Sequence, residues 1–196
     1  MIFILGGMKS GKSSYASSLA QQHGGQVAYL ATAQPGDGEM AHRIRRHQEE
    51  RPQDWLTVEE AINPASCFDQ WTNGIQPKYL DVPSHSAVEP QVVLLDCLTL
   101  WLTNLLSPLG DEPNRVEALE KGNVAVTKLI SSILNWEQGE RNRQTLIVSN
   151  EVESGLVSPW PLGRIFQDLS GLSHQKMAQA ATEVYVMHAG LPLKLK

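Results

Sequence analysis

Gly6-Gly7-Met8-Lys9-Ser10-Gly11-Lys12-Ser13 satisfies the pattern GxxxxGK[ST], and its reading decides the fold. It follows directly on a short apolar run, Ile2 to Leu5, that reads as a strand, and it opens a segment, Ser13 to Gln22, that reads as a helix. Strand, glycine-rich loop and helix in that order make a cradle for polyphosphate. The glycines let the backbone curl closely, while successive amides and the helix N-terminus aim partial positive charge at the bound anion. Lys12 is expected to reach the β and γ phosphates and Ser13 to ligate Mg²⁺. A glycine-rich turn that binds nothing is the competing reading, and the flanking strand and helix weigh against it. The motif specifies a nucleoside triphosphate and leaves the reaction open.

Working outward, further short β-rich runs lie at Val27 to Ala31, Val92 to Leu95, Leu146 to Val148 and Val184 to Met187, separated by helical segments. Apolar runs without strict alternation suit strands covered on both faces, so a three-layer α/β fold with a mostly parallel central sheet is expected. Gly38 to Glu50 reads as a helix stopped by Arg51-Pro52, because the residue before proline is pushed out of the helical region. Asn114 to Trp136 reads as a long helix, Asn73 to Pro90 as a surface loop or insertion, and Gly190 to Lys196 as a turn followed by a short edge strand. Residues 1–196 read as one domain. Asp96 ends the run Val92-Val93-Leu94-Leu95, which sets it at the carboxyl edge of a central strand, where open α/β sheets bind ligands. It suits a magnesium-holding acid there. Capping the next helix is the alternative role, one that Thr99 fills equally well.

With 41% hydrophobic and 19% charged residues, the 196-residue chain can bury one good core. A net charge of −5 provides no field for a nucleic-acid backbone, so no polynucleotide partner is expected. Cys67 and Cys97 form no CxxC unit and read as structural thiols of a reducing compartment. The N-terminal apolar run is too short for a secretory signal and nothing later suits a transmembrane segment, so a cytoplasmic location is expected.

The loop is similar to the Gly-Gly-x-Arg-Ser-Gly-Lys-Ser of the bifunctional adenosylcobinamide kinase and adenosylcobinamide-phosphate guanylyltransferase family, with Lys9 in place of arginine. Other matches follow in order: Tyr29 to Ala33, Glu39 to His47, Arg51-Pro52 with Trp55, Thr57 and Glu59, Leu94 to Thr99, Leu102 to Leu106, and Val148 to Val152. The central Arg-Ile-x-x-His with Arg-Pro-x-x-Trp discriminates this family from other P-loop proteins. The resemblance implies a RecA-like P-loop NTPase fold, a homotrimer, and two successive reactions. Adenosylcobinamide is phosphorylated by a nucleoside triphosphate, ATP or GTP; GMP then passes from GTP to adenosylcobinamide phosphate through a GMP-histidine intermediate. It assigns that histidine to His47 and nucleotide contacts to Ala31, Thr32, Ala33, Gln48, Glu49, Glu50, Arg51, Glu59 and Asp96. For Glu59 an ordinary exposed carboxylate is the alternative.

Helical geometry adds a local reason for His47. At 100° per residue, Met40, Arg43, Ile44, His47 and Arg51 share one stripe, with His42, Arg45, Arg46 and Glu49 towards the other side. An imidazole on that stripe with two guanidiniums suits nucleotidyl transfer, and a packing histidine is the competing reading. The sequence departs from the family at Glu153, where glycine is usual, at His174, where asparagine is usual, and at Thr182, which stands for an aspartate of the following helix. The rival functions are a small-molecule P-loop kinase without guanylyl transfer and, from another class, a nucleotide-dependent switch or non-catalytic subunit. No Asn-Lys-x-Asp guanine-recognition motif supports the switch.

Overall fold

The computed structural model describes residues 1–36, 38–49, 51–77, 80–81, 89–110, 112–140 and 142–196, with the side chains at 43, 47, 80 and 81 excepted. In chain order the elements are β1 (Ile2–Gly6), α1 (Lys12–His23), β2 (Val27–Ala31), α2 (Gly38–Glu49), β3 (Leu56–Glu59), α3 (Pro64–Thr72) and β4 (Leu80–Asp81). Then come β5 (Val92–Asp96), α4 (Leu98–Leu106), a 3-10 turn (Ser107–Leu109), α5 (Arg115–Gly139), β6 (Gln144–Asn150), α6 (Pro161–Ala180), β7 (Glu183–His188) and β8 (Leu191–Lys194).

The eight strands of the described residues lie in one sheet, ordered β4-β3-β2-β5-β6-β1-β7-β8. The pairings from β3 through β7 are parallel, and only the edge strands β4 and β8 run antiparallel to their neighbours. A sheet of this kind must be covered on both faces, and the alternating side chains show how. Ile4, Val27, Tyr29, Val92, Leu94, Leu146 and Val148 face one side, where Ala16 and Ala20 of α1 and Trp55 close over them. Phe3, Ala28, Leu30, Val93, Leu95 and Ile147 face the other, under residues of α3, α4, α5 and α6. Phe68, Trp71 and Trp136 meet there with ring centroids 5.6 to 6.3 Å apart, a geometry that adds about 0.5–1.5 kcal/mol per pair beyond area burial. The expected three-layer, mostly parallel α/β fold is the observed one.

Helix ends follow from local chemistry. Asn114 caps α5, its side-chain oxygen accepting from the amides of Val116 and Glu117. In α3 and α6, Pro64 and Pro161 sit in the first turn, where a missing N–H costs nothing. Gly122 lets α5 lie against α6, because a Cβ there would overlap the Leu169 side chain.

Three expectations change. The segment 73–90 is not wholly loop: Leu80 and Asp81 pair antiparallel with Val58 and Thr57, while residues 78–79 and 82–88 lie outside the described ones. Thr182 is not helical, since α6 ends at Ala180; its hydroxyl donates to the Met1 carbonyl across 2.9 Å. Arg51 lies beyond the end of α2 at Glu49, so no helical stripe positions it.

The expected turn and terminal edge strand do form. Ala189 and Gly190 both take positive φ in a two-residue turn between β7 and β8, the arrangement that matches strand twist. The Gly190 amide donates to the Ser10 carbonyl across 3.1 Å, so this hairpin braces the glycine-rich loop.

Candidate active site at the carboxyl edge of the sheet

Parallel pairing brings the ends of separate strands together. Register matches Glu59 with Ala31 and Ala31 with Asp96 across β3, β2 and β5, and Gly6 with Asn150 across β1 and β6. Thus the glycine-rich loop, the Asp96 carboxylate and the β2 end open on one edge of the sheet, the edge where ligands bind in this class of fold.

The loop between β1 and α1 is shaped for close approach. A Cβ on Gly6 would stand 2.8 Å from the Met187 carbonyl, too close for any other residue. Lys9 and Gly11 take left-handed conformations, with φ 56° and 94°. Lys12 begins α1, is buried, and folds its ammonium back to donate to the Gly7 carbonyl at 2.8 Å. Burial pulls that ammonium below its usual range, a pull opposed by Cys97 and by the charge of Asp96. Ser13 is half-buried in the first turn of α1. The buried Ser10 hydroxyl has no hydrogen-bond partner among the described residues, as suits a loop built to receive an anion.

Asp96 accepts a hydrogen bond from the Tyr29 hydroxyl at 2.8 Å. Burial pushes that phenol well above its usual range, reinforced by the Asp96 charge and offset by Arg51. Arg51 stacks on the Tyr29 ring, its guanidinium carbon 3.7 Å from the centroid, and its buried Nε and Nη1 find no partner among the described residues. Neither Asp96 nor Thr99 caps α4. Cys97 occupies the cap position and makes no side-chain capping bond, and the Thr99 hydroxyl is engaged with Ser149 and the Asn150 amide.

Of the other expected contacts, Thr32 is fully buried with its hydroxyl spent on the Cys97 carbonyl and amide, which clamps β2 to β5. Ala31 is buried and Ala33 half-buried beside it. Gln48, on α2, donates to Glu59 across 3.0 Å, so two residues eleven apart in sequence meet. Glu49 is exposed, and Glu50 lies outside the described residues. Along α2, Met40 and Ile44 are half-buried while His42, Arg45, Arg46, Gln48 and Glu49 are exposed. His47 lies in the last turn and a half of this helix, and its side chain, like that of Arg43, is outside the described ones. Sequence reasoning did not single out Tyr29, Ser149 or Asn150. All three sit in matching motif segments, but only tertiary contact gives them partners.

A loop of this shape between the first strand and first helix of a mostly parallel sheet, with a buried lysine at its end and a carboxylate at the end of β5, one strand removed from β1, defines a P-loop NTPase fold. Residues 2–195 match the family described as cobinamide kinase / cobinamide phosphate guanyltransferase. The chain belongs to that family. It is similar to the bifunctional adenosylcobalamin biosynthesis protein CobP of Pseudomonas aeruginosa, 38% identical over 193 residues that cover 98% of this chain and 95% of the relative. It is also similar to the bifunctional adenosylcobalamin biosynthesis proteins CobU of Escherichia coli and Salmonella typhimurium, at 35% and 34% identity, with 100% of this chain and 99% of each relative covered. No helix among the described residues is long and apolar enough to cross a membrane.

Proposed function

We propose that this chain is a nucleotide-dependent cobinamide kinase and cobinamide phosphate guanylyltransferase that performs both reactions at the carboxyl edge of its sheet. The observation that carries the reading is the meeting of Lys12, Asp96 and the Arg51–Tyr29 stack beside the glycine-rich loop, in a chain matched by the family along nearly its whole length.

In the kinase half, the amides from Gly7 to Ser13 cradle a triphosphate, and Lys12 leaves the Gly7 carbonyl to neutralise charge on the β and γ phosphates. The aminopropanol hydroxyl of adenosylcobinamide attacks the γ-phosphorus. The bond to the bridging β–γ oxygen breaks, the nucleoside diphosphate leaves, and the hydroxyl proton passes to solvent or a carboxylate. Ser13 and Asp96 are the residues that would hold Mg²⁺, and their chemistry fits: a half-buried hydroxyl in the first turn of α1 and a carboxylate at the end of β5 whose charge acts on Lys12. Bound there, the ion supplies charge neutralisation for the phosphates.

In the guanylyl half, a ring nitrogen of His47 attacks the α-phosphorus of GTP and pyrophosphate leaves with the electron pair of the α–β bridge. The phosphate of adenosylcobinamide phosphate then displaces the imidazole, giving adenosylcobinamide-GDP and free histidine. Arg51, whose Nε and Nη1 have no partner among the described residues and whose face lies on Tyr29, stabilises phosphate charge in this reading. Ala31, Ala33, Gln48, Glu49, Glu50 and Glu59 complete the nucleotide surface, while Thr32 contributes through the backbone it holds. ATP or GTP serves the kinase step. We read residues 1–196 as one domain that works in the cytoplasm as a homotrimer.

The test is incubation with α-labelled GTP and Mg²⁺, followed by a search for acid-labile, alkali-stable label, together with phosphoryl transfer to adenosylcobinamide from γ-labelled nucleotide. Label on the wild type and none on His47→Ala, with phosphoryl transfer kept, is the expected result. Phosphoryl transfer with no label on either protein would reduce the function to that of a kinase. Transfer to no cobinamide would overturn the reading.

A further inference from the structure

Five polar groups, four from α4, β6 and α6 and one from the loop after β6, form one continuous chain that ends beside Gly6 of the glycine-rich loop. Glu153 Oε1 lies 2.6 Å from His174 Nδ1, and His174 Nε2 lies 2.7 Å from the Ser149 hydroxyl. Ser149 is 2.9 Å from the Thr99 hydroxyl, and Thr99 accepts the Asn150 amide at 2.7 Å. His174, Ser149 and Thr99 are all buried, and Phe3 covers the imidazole with ring centroids 5.5 Å apart.

With the His174 ring neutral, the carboxylate at one end and the amide at the other leave one self-consistent set of directions between them. A backbone N–H only donates, and a carboxylate only accepts. In its neutral form the His174 ring, facing the Glu153 carboxylate through Nδ1, carries its proton there and offers Nε2 as acceptor. Ser149 must then donate to His174, and its oxygen is left to accept from Thr99, whose own oxygen takes the Asn150 amide. Each hydroxyl gives one proton and receives one, so no buried donor is left over. The chain ends where it matters: Asn150 pairs in register with Gly6, and the next amide, Glu151, donates to the Gly6 carbonyl at 3.1 Å. Gly6 is the first residue of the loop.

We propose that Glu153 and His174 are positioning residues for the phosphate-binding loop, acting through Ser149 and Thr99 on the Asn150 amide and the end of β6. They touch no substrate. The inference rests on the proposed function only in taking the loop as the triphosphate site.

The test uses Glu153→Ala, His174→Ala, Thr99→Val and two rescues, Glu153→Gln and Thr99→Ser, which keep an acceptor and a hydroxyl respectively. Affinity for a β,γ-imido GTP analogue with Mg²⁺ is measured by calorimetry, and the Asn150 amide resonance of the ligand-free protein by ¹⁵N NMR. The three disruptive variants are expected to weaken the analogue about three- to tenfold and to move the Asn150 resonance, while both rescues stay within about twofold of wild type. Lower melting temperatures with unchanged affinity or an unmoved resonance would mean that the cluster only stabilises the fold, and the proposal falls. It falls also if Glu153→Gln behaves like Glu153→Ala, since the chain needs only an acceptor at its end. If the wild type itself does not bind the analogue, the fault lies with the proposed function, and the Asn150 resonance alone decides the relay.

Discussion

The side-chain amide of Gln48 donates to the carboxylate of Glu59 across 3.0 Å, mooring the last turn of α2 to the carboxyl end of β3. α2 also carries His47, one residue before Gln48. Misplacing a reacting group by even an ångström costs far more in rate than a surface hydrogen bond contributes to stability. Glu59→Ala is therefore expected to slow formation of the guanylylated protein about tenfold in single-turnover labelling, and to lower phosphoryl transfer less. Equal loss of both activities would show that the mooring serves the whole edge and not α2.

Tyr29 supports two neighbours with different parts of one side chain: its hydroxyl donates to Asp96 at 2.8 Å and its ring carries Arg51. Tyr29→Phe removes the first contact and keeps the second. A hydrogen bond to a charged group contributes roughly 1.5–3 kcal/mol, so urea unfolding is expected to register a loss of about that size or somewhat less. The freed Asp96 should also raise the Mg²⁺ concentration at half-maximal phosphoryl transfer a few-fold, read from a Mg²⁺ titration at saturating nucleotide. An unaltered titration would remove Asp96 from the magnesium site.

Two buried thiols make the fold sensitive to alkali. Burial pushes Cys67 and Cys97 from 9.0 up to about 12, reinforced at Cys67 by the charge of Glu60 and at Cys97 by that of Asp96. Because the folded value is the higher one, the native state keeps its protons when the unfolded chain has lost them. The stabilising contribution is complete below pH 9 and is lost as pH rises from there towards 12. Each thiol contributes a slope of about 1.4 kcal/mol per pH unit in that window. Urea unfolding across the same range should show stability falling, and Cys67→Ala should lessen the fall by about half of the thiol contribution. A slope unchanged by that substitution would show that other groups govern the alkaline limb.

Much of the fold is legible in the sequence because it is written in contiguous residues. Val27 to Ala31 reads as a strand and is one, since a five-residue apolar run bounded by Gly24-Gly25 and Pro35-Gly36 is too short for a helix. The reading leaves α3 and α6 unassigned although Pro64 and Pro161 mark their starts. In α6 the buried face includes Ser170, Ser173 and His174, so its apolar stripe is interrupted by polar residues, one of which, His174, belongs to the relay.

The same division runs through the site. Residues 6–13 specify a phosphate cradle by themselves, because a glycine-rich turn between a strand and a helix leaves its amides few other arrangements. Thr32, by contrast, matches a nucleotide-contacting segment in sequence, yet its hydroxyl is consumed between β2 and β5. Glu153 and His174 were visible separately as two departures from the family pattern. That they meet at 2.6 Å follows only from folding, which brings His174 of α6 to Ser149 near the end of β6 and to the loop that follows it. The sequence by itself determined the parallel sheet, the phosphate loop and the family, since each is carried by local pattern and residue order. The tertiary structure decided which polar side chains became partners, because a hydrogen bond depends on separation in space and residues 99, 149, 153 and 174 acquire theirs only once three elements have packed.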